Sequence, residues 1–155
     1  MIRVIGLGNP HRKDDAVGIA VVRLLGDRKP ANAEVVACEA DPTTLLERWG
    51  EDDRVIVVDA ASSRNAPGTI HRFDAVAAPL PTRHFAVSSH ALGLVEAVEL
   101  ARALGRLPRS LVVYAVEGAD FGTGQGLSPA VGDALGRVAE LVLREAVEPG
   151  DCPDN

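Results

Sequence analysis

Apolar residues in this chain gather into short runs separated by stretches of helical spacing, with steady alternation in only one place. "RVIGLG" (3–8) predicts a buried strand that ends in glycine, and residues 15–26 carry Val17, Val21, Leu24 and Leu25 at helical spacing. "AEVVAC" (33–38) predicts a second strand and "PTTLLERW" (42–49) a short helix. "DRVIVVDA" (53–60) sets four β-branched residues in succession, the pattern of a strand covered on both faces. "PGTIHRFD" (67–74) follows a Pro-Gly turn and alternates apolar with polar, which predicts a half-exposed or edge strand. A loop (77–87) leads to a long helix expected from about Ser89 to Leu104, and "SLVVYAV" (110–116) is the last strand. The final helix opens at "SPAV", with Ser128 as N-cap and Pro129 at the first helical position. Val131, Leu135, Val138 and Val142 form its apolar stripe, and Asp133–Arg137 and Glu140–Arg144 are spaced for ion pairs on the other face.

Five strands and about four helices in this order predict an α/β fold, three layers deep, with a mainly parallel sheet of about five strands. A single domain is expected over residues 1–147, followed by a flexible tail at 148–155. In such sheets ligands gather at the carboxyl ends of the strands, which says where to look for chemistry. Composition narrows the picture further. Aromatics are only 3% of 155 residues, so the core must be built from Val, Leu, Ile and Ala. The net charge of −6 argues against a nucleic-acid or anionic-membrane partner. Two cysteines, Cys38 and Cys152, without a CxxC pair, exclude a disulfide scaffold and a thiolate metal site. No apolar run approaches ~18 residues, and "MIRVIGLG" enters a strand pattern rather than a signal peptide, so a cytoplasmic protein is expected.

The strand-to-helix turn "GLGNPHRKDDAVG" (6–18) has nearly the shape of a phosphate cradle, yet His11 stands where G-x-G-x-x-G needs its third glycine. Asp14 and Asp15 would repel a phosphate at the helix mouth; one of them suffices as a helix cap, which leaves the other for a functional role. Asp59 ends the most hydrophobic strand and should emerge at the carboxyl edge of the sheet. In "SSHALGL" (88–94), Ser88 or Ser89 is expected to cap the long helix, placing His90 in its first turn as a neutral imidazole. His71 falls on the edge strand, and His11 and His84 in loops, with His11 near enough to Asp14 to line the same cleft. Two carboxylates and an imidazole suit a divalent cation of the nickel, zinc or manganese kind, with coordination positions left for a partner's groups. No G-x-S-x-G, no H-E-x-x-H and no Cys–His pair supports a serine, zincin or cysteine mechanism.

Taken together, "GLGNPHRKDDAVG", "VVDA", "SSHALGL" and "GLSPAV" (126–131) resemble the [NiFe]-hydrogenase maturation proteases, in order and spacing, from Ile2 to about Val147. The resemblance implies a phosphorylase/hydrolase-like three-layer fold and an endopeptidase that removes the C-terminal extension of the hydrogenase large-subunit precursor after nickel insertion. It implies that Asp15, Asp59 and His90 are the catalytic, nickel-contacting set. It further implies that the nickel is carried by the substrate, that there is no organic cofactor, and that the partner is the nickel-loaded precursor, with a monomer or weak dimer expected. Either the metal polarises the scissile carbonyl or a water, or it positions the peptide while Asp15 or Asp59 serves as general base. Asp41 and Pro42 stand where many members carry a glycine-threonine motif, a departure that bears on which large subunit is recognised; Glu39 and Asp41 could line the same cleft. Two other readings compete. One is a non-catalytic nickel-centre chaperone of the large subunit, and the other a peptidyl-tRNA hydrolase-like enzyme, which shares "GLGNP" but needs a basic face.

Overall fold

The β-branched runs form strands in the predicted order. The computed structural model describes residues 1–38, 44–85 and 93–147. Its strands are β1 (Ile2–Leu7), β2 (Ala33–Cys38), β3 (Arg54–Ala61), β4 (Ile70–Asp74) and β5 (Ser110–Glu117). They make one five-stranded sheet in the order β2-β1-β3-β5-β4, parallel throughout except for β4, which pairs antiparallel with β5 at the edge. The helices are α1 (Val17–Leu25), α2 (Leu45–Arg48), α3 (Leu94–Ala103) and α4 (Pro129–Val147).

Side chains of parallel strands in register share a face, and here the two faces sort cleanly. Val4, Ile56, Val58, Val112 and Tyr114 pack with α1 and α4. Ile5, Leu7, Val55, Val57, Leu111 and Val113 pack with α2 and α3. The result is the expected three-layer α/β/α arrangement. Among the described residues no helix is long and apolar enough to cross a membrane.

Three expectations change. The helix after β1 begins at Val17 behind a tight 3-10 turn (Lys13–Ala16), and its N-cap, Ala16, makes no side-chain cap bond. Neither aspartate of the turn therefore caps α1. The third helix begins at Leu94 behind an extended Gly93, five residues later than the start expected at Ser89, and His90 lies outside the described residues. Gly93 explains the late start, because a glycine inside a helix costs ~1 kcal/mol relative to alanine. On α4, Glu145 forms the closed ion pair, with Arg72 of β4 at 2.7 Å, rather than the two intrahelical pairs expected from spacing. Exposed i,i+4 pairs are worth only a few tenths of a kcal/mol, too little to hold two long side chains together. The Ser88/Ser89 cap, the Glu39–Asp41 stretch, Cys152 and the 148–155 tail lie outside the described residues.

The amino edge of the sheet is closed by structural charge. Asp53 accepts from the Gly50 amide (2.7 Å) and from Arg3 (2.7 Å), and those bonds hold its carboxyl down at about 2. The carboxyl edge is set by glycine. A Cβ at Gly6 would run into the carbonyl of Gly18, and one at Gly18 into the carbonyl oxygens of Val58 and Leu7. Helix α1 thus sits directly on the backbones of β1 and β3, which fixes where the turn before it must lie.

Gly18→Ala should accordingly destabilise the protein by about 3 kcal/mol, because backbone cannot move aside as a side chain can. Gly136→Ala, on an exposed face of α4 with nothing near its added Cβ, should stabilise by ~0.5–1 kcal/mol. Urea unfolding of both variants measures the contrast.

Candidate active site

The turn between β1 and α1 divides the work of its two aspartates. Asp14 is fully buried, and its carboxylate accepts from the amides of Ala119 (2.8 Å), Asp120 (2.9 Å) and Ser128 (2.7 Å) and from the Ser128 hydroxyl (2.7 Å). Burial pushes its pKa up, but the Ser128 amide and hydroxyl and the two loop amides more than offset this and leave it below the usual carboxylate range. It staples the β5–α4 loop to the turn. Backbone bonds from Lys13 to Gly124 (3.2 Å), Asp14 to Asp120 (3.0 Å) and Gly124 to His11 (2.8 Å) continue the clasp. Arg12 donates to the Phe121 carbonyl (3.0 Å) and Lys13 pairs with Asp120 (2.8 Å). His11 is exposed and Asp14 sealed, so the two do not share a cleft.

Asp15 faces the other way. The Asn9 amide donates to its Oδ2 at 3.0 Å. Gly8, at φ +144, lets the chain fold back onto the Asp15 carbonyl, which a Cβ there would strike. Asp59, two residues before the end of β3, is half-buried and accepts from the Ala60 amide at 2.8 Å. Protein atoms crowd its carboxylate, although part of its surface stays open. Burial, reinforced by the negative charge of Asp15 and only partly opposed by the Ala60 amide, pushes its pKa up to about 7. The two carboxylates predicted to meet at the carboxyl edge do interact there. Their third predicted companion, His90, lies outside the described residues, among which no group of three metal-donor side chains occurs.

A second polar cluster occupies the same edge and was not predicted. Glu117, at the end of β5, is 1% exposed. It accepts from the amide of Ser63 (3.1 Å) and from its hydroxyl, and from Asn65 (3.5 Å) and His71 Nε2 (3.0 Å). The signal was present in "SLVVYAVE", an apolar strand that ends in an acid just as "VIVVDA" does. Cys38 is buried at the end of β2 against the Thr44 hydroxyl (3.2 Å), a packing role.

Fold and edge together define an α/β protein whose first strand-to-helix turn offers carboxylate, rather than open amides, to whatever binds there. The chain belongs to the hydrogenase maturation protease family, whose HycI model matches residues 19–145, a span that holds Asp59 and position 90 and begins just after Asp15. It is 31% identical over 154 residues to the hydrogenase 2 maturation protease of Escherichia coli (strain K12), covering 96% of this chain and 92% of that one. Among solved structures it resembles the hydrogenase maturating endopeptidase HybD from E. coli (TM-score 0.77, 28% identity, 96% and 93% of the two chains). It also resembles the [NiFe] hydrogenase maturation protease HycI from Thermococcus kodakarensis KOD1 (TM-score 0.72, 25% identity, 95% and 92%). The chain is therefore a hydrolase of the endopeptidase kind, and the peptidyl-tRNA hydrolase and non-enzymatic readings fall away.

The raised Asp59 pKa makes a prediction about stability. Folded Asp59 keeps its proton to about pH 7, whereas the unfolded group loses it near 4, so its contribution is fully present below pH 4 and is lost as pH rises through 7. Asp59→Asn should therefore raise the melting temperature by several degrees at pH 8 and by little at pH 4. Thermal unfolding across that range tests it; a gain independent of pH would contradict the assignment.

Proposed function

We propose that the chain removes the C-terminal extension of a [NiFe]-hydrogenase large-subunit precursor once nickel is in place, recognising the substrate-held nickel through Asp15, Asp59 and His90. The observation that carries this reading is the electrostatic opposition of Asp15 and Asp59. A carboxyl whose ionised form is penalised by burial and then by a neighbouring carboxylate forms a site that gains from an arriving cation. Phosphate and nucleic acid are disfavoured by the same charge. A divalent ion brought by the partner would cancel the repulsion, polarise the scissile carbonyl or water, and dock the cleavage site against the edge. Asp59, titrating near neutrality, has the proton affinity expected of a group that accepts a proton from attacking water. The reading places the protein in the cytoplasm as a monomer or weak dimer, with no organic cofactor.

The test is direct. The protein is incubated with nickel-loaded and nickel-free large-subunit precursor, and loss of the C-terminal peptide is followed by mass spectrometry. Only the nickel-loaded precursor should be cut. Asp15→Asn, Asp59→Asn and His90→Ala should each slow cutting by at least about 100-fold while remaining folded. Undiminished cleavage by the two aspartate variants would remove the site.

A further inference from the structure

The sheet register places one more group beside Asp59. Asp59 pairs with Ala115 of β5, and Ala115 pairs with His71 of β4, so the three share a row and a face, the one covered by α3. At the spacing of adjacent strands, His71 and Asp59 stand ~10 Å apart at the backbone, and among the described strands Ala115 is the residue between them. Glu117 follows two residues after Ala115 on the same face, and its buried carboxylate holds His71 Nε2 at 3.0 Å. The other ring nitrogen of His71, Nδ1, has no hydrogen-bond partner among the described residues and is not sealed from solvent. A histidine held at one nitrogen by a buried carboxylate and open at the other is the arrangement used to pass a proton.

We propose that His71 is the proton donor to the leaving amine in the cleavage reaction and that Glu117 is its positioning residue. The proposal rests on the reading that Asp15 and Asp59 mark the reaction centre. In the step assigned, water adds to the scissile carbonyl carbon and its proton passes to the Asp15–Asp59 pair. The carbon–nitrogen bond then breaks with its electron pair going to nitrogen, which takes the proton from Nδ1 of protonated His71. The products are the amine of the released peptide and the carboxylic acid of the mature subunit, whose proton returns to His71 as it becomes the carboxylate.

The groups packed against His71 fit this role. Ser63 and Asn65 bond Glu117 rather than His71, and fix the carboxylate from the loop after β3. Burial pushes Glu117 up, but its bonds to Ser63, His71 and Asn65 more than offset this and keep it ionised. The His84 ring stands edge-on against His71 at 4.8 Å, with its own Nδ1 buried and unpartnered. Burial first, then the positive charge of His71 and of Arg83, hold His84 below the usual histidine range. The Ser62 amide ties the post-β3 loop to the His84 carbonyl at 2.8 Å, so both walls of the cluster move together.

The test measures kcat and KM for processing of the nickel-loaded precursor. His71→Gln, close in size and able to bond Glu117, should lower kcat about 100-fold with KM within twofold. His71→Ala should be equally slow and should recover at least tenfold in added imidazole. Glu117→Gln should lose about tenfold in kcat, and Glu117→Ala should approach the His71 variants without sharing their imidazole rescue. A His71→Gln variant with wild-type kcat, or a folded His71→Ala variant that imidazole does not rescue, overturns the proposal. If Asp15→Asn and Asp59→Asn also cut normally, the nickel-recognition reading has failed instead; if they are dead while His71→Gln is normal, only this inference has failed.

Discussion

The direct contact of helix α1 with the sheet backbone governs the rest of this structure. Gly6 and Gly18 remove the two Cβ atoms that would hold helix and strands apart, and Gly18 meets the carbonyls of Leu7 and Val58 at once. A helix seated that close leaves no slack in the connection from β1, so the chain must turn within a few residues at the carboxyl edge. Gly8, at a φ that only glycine readily adopts, makes that turn and brings Asp15 beside the end of β3. The likeness to a phosphate cradle follows from the same constraint, since both need a helix pressed against a strand. What differs is the charge placed in the turn.

Much of this was legible in the sequence. Four of the five strands fall where short apolar runs place them, and β4 was recognisable as an edge strand by its alternation and its Pro-Gly lead-in. Pro129 marked the start of α4. Asp15 and Asp59 were legible because an acid that closes an apolar run has few structural reasons to be there. The start of α3 was misjudged because two serines made a plausible cap, whereas Gly93, five residues after the first of them, weakens the helical pattern at the true boundary. Asp14 resisted assignment for another reason. Its partners, Ala119, Asp120 and Ser128, lie more than a hundred positions away, and no local pattern reports a bond across such a distance. The His71–Glu117 pair was hidden in the same way, since it depends on β4 turning back against β5.

Three of the four buried or half-buried carboxylates described at the carboxyl edge, Asp14, Glu117 and Asp59, set structure apart from function on physical grounds. Asp14 and Glu117 are almost wholly enclosed, yet both are held below the usual carboxylate range because several donors surround each one. Each is a satisfied charge, and its role follows from what it binds: Asp14 ties a loop to a turn, and Glu117 ties a loop to a histidine. Asp59 is crowded by protein atoms, accepts one hydrogen bond among the described residues, from the Ala60 amide, and faces Asp15, so burial first and then the like charge move its pKa the opposite way. A carboxyl whose ionised form is penalised by burial and a like charge destabilises the fold as the pH rises through its pKa. Such a group is retained where something else completes it.

On the function proposed above, what completes Asp59 is positive and arrives with the partner. Lys13, only two residues before Asp15, is committed to Asp120 instead. The chain directs that lysine outward to the clasp. On that proposal a partner's cation would relieve the repulsion that Asp15 exerts on Asp59, and affinity for the partner would depend on whether the cation is present. The fold holds Asp59 in place at a cost, and the energy recovered on neutralising it would then distinguish a metal-loaded substrate from an empty one.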